Sequence, residues 1–424
     1  MLALSFEQAP PISVPTRFFL TAPLFGILAG FLLLAQGGDA LATRWAPASL
    51  ALTHLFTTGV MLQAMCGALL QFIPVAAGGN IWRPRLIAWL VHPALCAATL
   101  LFAGAFLGQR PLLLDAAATL FAFALSIYAL AVGAAIFRDV GKNDTITAQR
   151  LAIGGLIVTV ATGVLLVQAL QGRVALPVIR TVHVHVVWGL VGWAGVLLIG
   201  VGYFVVPMFQ MTAPYPRPVQ KYLAPALLLA LLAWSAQLSA SLPPALSSVG
   251  LAVILAGGTL FAAITLMLQA KRKRKIADPT LVFFRIAMLC IMLATLTLAI
   301  LPMIPGGGAD ISPLLLGILI LHGLFGSVIC GMLYKILPFA LWMDLQQLDP
   351  TLATKVSTRK LLGETPMTRH LRLHALVLLL LLFAPFVPAL ARPSGLLLAI
   401  SYSWLEWNLL TAWGNYRRYR PAVA

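Results

Sequence analysis

The sequence predicts an all-α polytopic membrane protein: twelve transmembrane helices in three pseudo-repeats of four, with both termini cytoplasmic. Three observations predict it. The first is composition: of 424 residues, 61% are hydrophobic and 9% charged, with a mean hydropathy of +0.98, so too little polar surface exists to cover a soluble core. The second is a repeated helix ending. Three histidine-bearing spans close on Gly, six mostly apolar residues and Pro: GALLQFIP from Gly67, GVGYFVVP from Gly200 and GMLYKILP from Gly331. Pro74, Pro207 and Pro338 stand 133 and 131 residues apart, close to a third of the chain, which is the mark of an internal threefold repeat. The third is the placement of basic residues between the spans.

Apolar runs long enough to cross a bilayer, about 20 residues each, fall near 17–37, 46–74, 84–107, 111–137, 150–171 and 181–207. Six more fall near 222–241, 247–269, 280–303, 312–343, 370–391 and 394–413. Four spans per repeat put the Gly-x6-Pro signature on helices two, six and ten, within one transmembrane domain, 1–424. The repeats divide near 1–140, 141–275 and 276–424.

Orientation follows from the connectors, because Lys and Arg accumulate in short cytoplasmic loops. The loops after the even-numbered spans carry Arg83 and Arg85, Arg138 and Lys142, Arg217 and Lys221, KRKRK at 271–275, and Lys355, Arg359, Lys360 and Arg369. The opposite loops hold Arg44, Arg110, Arg173, Arg180 and Arg392. Helices two, six and ten therefore run inward, with their histidines in the outer half. The formal charge of +17 is accounted for by these cytoplasmic loops, and the partner it implies is the lipid bilayer rather than nucleic acid. Residues 1–16 show neither a basic n-region nor a small-residue cleavage site, so the first span is expected to stay in the mature protein.

Cys66, Cys96, Cys290 and Cys330 lie in apolar runs without CxxC or CxH spacing and read as small packing residues. Glycines such as Gly26 and Gly30 read as points of close helix approach. Histidines inside spans are different, because lipid satisfies neither ring nitrogen. His322 stands 9 residues before its signature glycine, His54 13 and His183 17, steps of four that keep one helix face. His185, 15 residues before Gly200, comes closest to His54 in depth. His183 and His185 diverge by about 200° around their helix, so they do not share one metal. As metal-ligand candidates the four, His54, His183, His185 and His322, suit haem iron, copper or zinc. Haem b fits the apolar surroundings best, with copper at a second site as the further candidate. His92 reads as a structural imidazole. His370 and His374, beside Arg369 and Arg372, read as interface anchors at the mouth of span eleven.

At these residues the chain resembles the subunit I superfamily of haem-copper oxidases, which has twelve spans in pseudo-threefold arcs and ligands on helices two, six and ten. The resemblance implies a low-spin haem held by His54 and His322, with His185 as the alternative to His322. Departures from that family are specific. Helix ten reads Ile320-Leu321-His322 where the family has His-x-His, and span seven from Lys221 has no histidine. No tyrosine follows His183 or His185 by four residues. A full copper site is thus missing, and oxygen reduction by a complete terminal oxidase is not expected; if the chain is an enzyme, the resemblance implies an oxidoreductase of the cytochrome oxidase type. The chain looks more like divergent standalone relatives, including NnrS-type haem and copper proteins linked to nitric oxide stress. That likeness implies a bacterial inner membrane, electron transfer or a gas-ligand role, and a redox partner protein or respiratory subunit. The competing expectation is a cofactor-free transporter or assembly scaffold on the same fold, with Glu406, Gln63, Gln168 and Gln237 as its polar lining.

Overall fold

The computed structural model describes residues 8–138, 143–238, 242–273, 278–300 and 311–420. Lys142, Arg274, Lys275 and the far ends of two expected spans, 239–241 and 301–303, lie outside them. Among the described residues every regular element is helical. Six long helices form the first half: α1 Ser13–Leu41, α2 Pro47–Ala77, α3 Pro84–Gly108, α4 Pro111–Arg138, α5 Asp144–Leu170 and α6 Val178–Gln210. The second half holds α7 Arg217–Leu238, α8 Pro244–Ala270, α9 Pro279–Ile300, α10 Ile311–Leu348 and α11 Glu364–Phe383, then α12 Ala391–Tyr419.

Helices α1 to α11 are long and apolar enough to cross a membrane, so this is a multi-pass membrane protein in contact with lipid. Helix α12, the expected twelfth span, has the length, 29 residues. It falls outside that set because Glu406, Asn408, Trp404, Trp407 and Trp413 dilute its apolar middle. Leu112, Leu130, Leu229 and Phe137 are largely exposed, which a bilayer accommodates and water would not. Arg44 lies 4.4 Å over the Trp45 ring and Arg83 4.9 Å over Trp82, a cation-on-aromatic pairing suited to headgroup depth.

Two boundaries differ from expectation. Helix α11 begins at Glu364 and stops at Phe383 rather than covering 370–391, because Pro385 and Pro388 cannot donate the next helical hydrogen bonds. Helix α6 continues past Pro207, where its expected span ends, to Gln210, and α10 runs past Pro338 and beyond its expected limit at 343 to Leu348. A proline removes one bond of the ladder, and neighbouring helices re-satisfy the freed carbonyl in an apolar solvent.

The helices form two compact units. The first is Met1–Ala76, Phe102–Gln109 and Ile276–Ala424; the second is Ala77–Leu101 and Arg110–Lys275. Within the first, α1 and α12 pack along much of their length. A Cβ on Gly395 would fall on the backbone nitrogen of Leu34 and lie 2.8 Å from the Gly30 carbonyl oxygen. The GxxxG of Gly26 and Gly30 thus serves close helix approach, as its sequence suggests. Within the second unit, α5 packs on α6 and α7 on α8.

Candidate metal centre

Helices α2, α6 and α10 share a feature that hydropathy does not report. Each contains a π-helical segment: Leu55–Met61 in α2, Trp188–Gly195 in α6 and Leu319–Gly326 in α10. Leu55, Trp188 and Leu319 each stand twelve residues before the signature glycines Gly67, Gly200 and Gly331. A π segment widens the turn and weakens the hydrogen-bond ladder, and it recurs mostly where a side chain must be re-aimed for function. His54 immediately precedes the first segment, His185 stands three residues before the second, and His322 lies inside the third.

In the first unit, His54 is half-buried. Its Nδ1 lies 2.8 Å from the Leu50 carbonyl oxygen, so Nδ1–H donates and the lone pair sits on Nε2. Its ring packs edge-on against Phe102 at 4.6 Å and stacks with Phe106 at 5.5 Å. His322 is 4% exposed, and both of its ring nitrogens are buried without a hydrogen-bond partner. Its ring centroid is 4.3 Å from that of His374, 6.2 Å from Phe56 and 6.3 Å from Tyr402.

His374 and its neighbour His370 are where the structure departs most from expectation. They are not interface anchors: His370 is 1% exposed and His374 0%. Because α11 starts at Glu364, the two histidines lie well inside it, one turn apart on the face that buries Met367, Val377, Leu378 and Leu381. Arg369 and Arg372 point outward from the same helix. The signal was present as the i, i+4 spacing of His370 and His374 in register with that apolar face. Cys330, one residue before Gly331 on α10, completes the group. One ligand atom from each of Cys330, His370 and His374 lies within 4.8 Å of the others.

Hydroxyls and an amide surround this group. His374 Nε2 is 2.8 Å from Ser327 Oγ, and its Nδ1 is buried with no partner. His370 Nε2 is 3.0 Å from Ser401 Oγ and its Nδ1 is 2.9 Å from the Tyr334 hydroxyl. Asn408 Nδ2 donates to that hydroxyl at 2.8 Å, which turns the tyrosine proton toward His370 Nδ1. The Phe283 ring closes one side, 5.1 Å from His374 and 5.5 Å from His370.

No protein-family model matches this chain, and no curated protein matches it.

In the second unit, His185 is held much as His54 is. Its Nδ1 lies 3.1 Å from the Thr159 carbonyl oxygen and 3.3 Å from Thr162 Oγ1. His183 is half-buried on the same helix. His92 Nε2 lies 3.7 Å from Cys96 Sγ, one turn along α3. Of the polar residues expected to line a transport path, Gln168 and Gln237 belong to this unit and Gln63 and Glu406 to the first. Gln168 accepts from Arg173 at 3.2 Å near the end of α5, and Gln237 donates to the Trp234 carbonyl at 3.2 Å at the end of α7. Gln63 is fully buried in α2, and Glu406 carries a buried Oε2 without a partner.

Proposed function

We propose that this chain is a haem b-binding protein of a bacterial inner membrane, with twelve spans in three pseudo-repeats and both termini cytoplasmic. Its role is electron transfer or the binding of a small gas such as nitric oxide, not reduction of oxygen. The observation that carries the reading is the common register of the three π segments, each beginning twelve residues before a signature glycine and each beside a histidine. A shared distortion of an otherwise regular helix, repeated in one sequence register, supports both the threefold plan and a histidine-held prosthetic group.

The residues of the first unit fit haem by their chemistry. His54 has its Nδ1 proton committed to the Leu50 carbonyl, the hold that orients a ligating imidazole and raises its basicity. His322 buries two ring nitrogens with no protein partner, a cost of a few kcal/mol unless a ligand takes one of them. Aromatic rings flank both imidazoles, Phe102 and Phe106 beside His54 and Phe56 and Tyr402 beside His322. A haem held there would supply a one-electron couple. The protein's part is to hold the two imidazoles and exclude water. An external redox protein or respiratory subunit completes the circuit.

The test is a reduced-minus-oxidised optical spectrum with a pyridine haemochrome assay on protein from haem-replete cells. About one low-spin haem b per chain is expected, lost in His54→Ala and in His322→Ala and retained in His183→Ala. A band lost in His185→Ala and kept in His322→Ala would reassign the second axial ligand. Colourless wild-type protein that is monodisperse and helical overturns the haem reading in favour of a transporter or assembly scaffold.

A further inference from the structure

The geometry points to a second metal site that uses none of the proposed haem ligands: we infer that Cys330, His370 and His374 bind copper. The donor set is the first argument. One thiolate and two imidazoles form the His2Cys combination that selects copper in electron-transfer sites, whereas magnesium, calcium and manganese take oxygen ligands. Among the described residues the group holds three donors within 4.8 Å of one another, and all three side chains are buried. Zinc in a closed structural site takes four ligands, one more than this group provides.

The second argument is the unsatisfied atom. His374 Nδ1 is buried without a partner while Nε2 is engaged by Ser327 Oγ at 2.8 Å. With Nε2–H donating to the serine, Nδ1 carries the lone pair, and a metal ion takes it with no hydrogen bond lost. His370 differs, because both nitrogens are bonded, to Tyr334 and Ser401. The ion replaces one of those two bonds. Binding also exchanges the Cys330 S–H for a copper–sulfur bond and releases one proton. The serine, tyrosine and asparagine around the rings are the outer-shell partners that fix a ligating imidazole's tautomer and angle. A cluster of three buried imidazoles and a thiol kept only for packing would be expected to satisfy its nitrogens instead.

The ion matters for its position. His322 packs on His374 with 4.3 Å between ring centroids and the ring planes tilted by 32°, so a copper on His374 lies one imidazole away from His322.

The experiment uses full-length protein in mild detergent, freed of metal and titrated anaerobically with copper(I) against the chelator bicinchoninate. One equivalent per chain is expected in the wild type, none in Cys330→Ser or His374→Gln, and one in the control Cys96→Ser. Ser327→Ala, which removes the hydroxyl bonded to His374 Nε2, should weaken copper about 10–100-fold, the usual effect of losing an outer-shell partner. Ferricyanide then removes one electron from each copper(I), giving ferrocyanide and copper(II), and an intense thiolate-to-copper absorption band should appear in the wild type and not in Cys330→Ser. His54→Ala should lack haem and still bind one copper, so failure of either assignment is read apart from the other. Absence of stoichiometric copper in folded wild-type protein, uptake of zinc but not copper, or full copper binding by the near-isosteric Cys330→Ser overturns the proposal.

Discussion

Gly395→Val should leave little folded protein. At this point α12 crosses α1 with backbone against backbone, and a Cβ would lie on the Leu34 nitrogen, 2.8 Å from the Gly30 carbonyl oxygen and 2.8 Å from the Leu33 carbonyl carbon. None of these atoms is the end of a flexible side chain, so relief requires the helices to separate. Separation breaks the neighbouring contacts of Gly30 with Ala399 and of Gly26 with the Tyr402 ring. Overpacking of a core costs about 1–3 kcal/mol where side chains can yield; here the clash is with main chain, and a loss of at least about 3 kcal/mol is expected. The internal control is Gly414→Ala on the same helix, where an added Cβ meets nothing within 4 Å. That change should be neutral or stabilise by about 0.5–1 kcal/mol through helix propensity. Thermal unfolding midpoints in detergent compare the two. Wild-type stability in Gly395→Val would mean that α1 and α12 do not cross as described.

What could be read from the sequence divides along physical lines. Lengths and positions of the spans were legible because bilayer thickness fixes the apolar run, and α12 deviates for the same reason, its middle carrying Glu406 and Asn408. His322 was legible as an intramembrane imidazole, although its closest ring neighbour, His374, was not. Arg369 and Arg372 make that stretch look like a headgroup boundary. The helix starts early enough, at Glu364, for those arginines to face outward while His370 and His374 face in. Charge content drew attention to the wrong face, and the i, i+4 spacing marked the right one. The π segments left no trace in hydropathy, since an i to i+5 bond changes which residues share a face without changing their character. Cys330 was read as packing because its partners are distant in sequence. Only the folded approach of α10 and α11 brings this thiol beside two imidazoles.

Asp278→Ala should be the second most damaging change, and its effect separates into two parts. Asp278 precedes α9 and accepts through Oδ1 from the Thr280 hydroxyl at 2.6 Å and the Leu281 N–H at 3.1 Å. Its Oδ2 receives Lys335 Nζ at 3.1 Å, from within the Gly331–Pro338 signature of α10. The aspartate side chain is 8% exposed and the lysine 28%, so removing the carboxylate strands an ammonium that water reaches poorly. Breaking a buried pair from one side costs about 3–5 kcal/mol, and the partial exposure of Lys335 places the expected loss near about 3 kcal/mol. Asp278→Asn keeps an acceptor for Leu281 and should recover the cap's share, about 1 kcal/mol. Pairing Asp278→Asn with Lys335→Met removes both charges and should cost less than the two single changes added together. The pH dependence has a definite sign. Burial opposes ionisation of Asp278, but the Thr280 hydroxyl, the Lys335 ammonium and the Leu281 N–H outweigh it and hold the carboxyl below its ordinary value. A folded-state pKa below the unfolded one, about 3.9, gives stabilisation that is complete above that value and is lost as pH falls toward the folded one. Unfolding free energy should therefore be insensitive to this group from about pH 5 upward and fall below about pH 4. Asp278→Asn should flatten that acid limb, and an acid limb as steep as wild type would place the titrating group elsewhere.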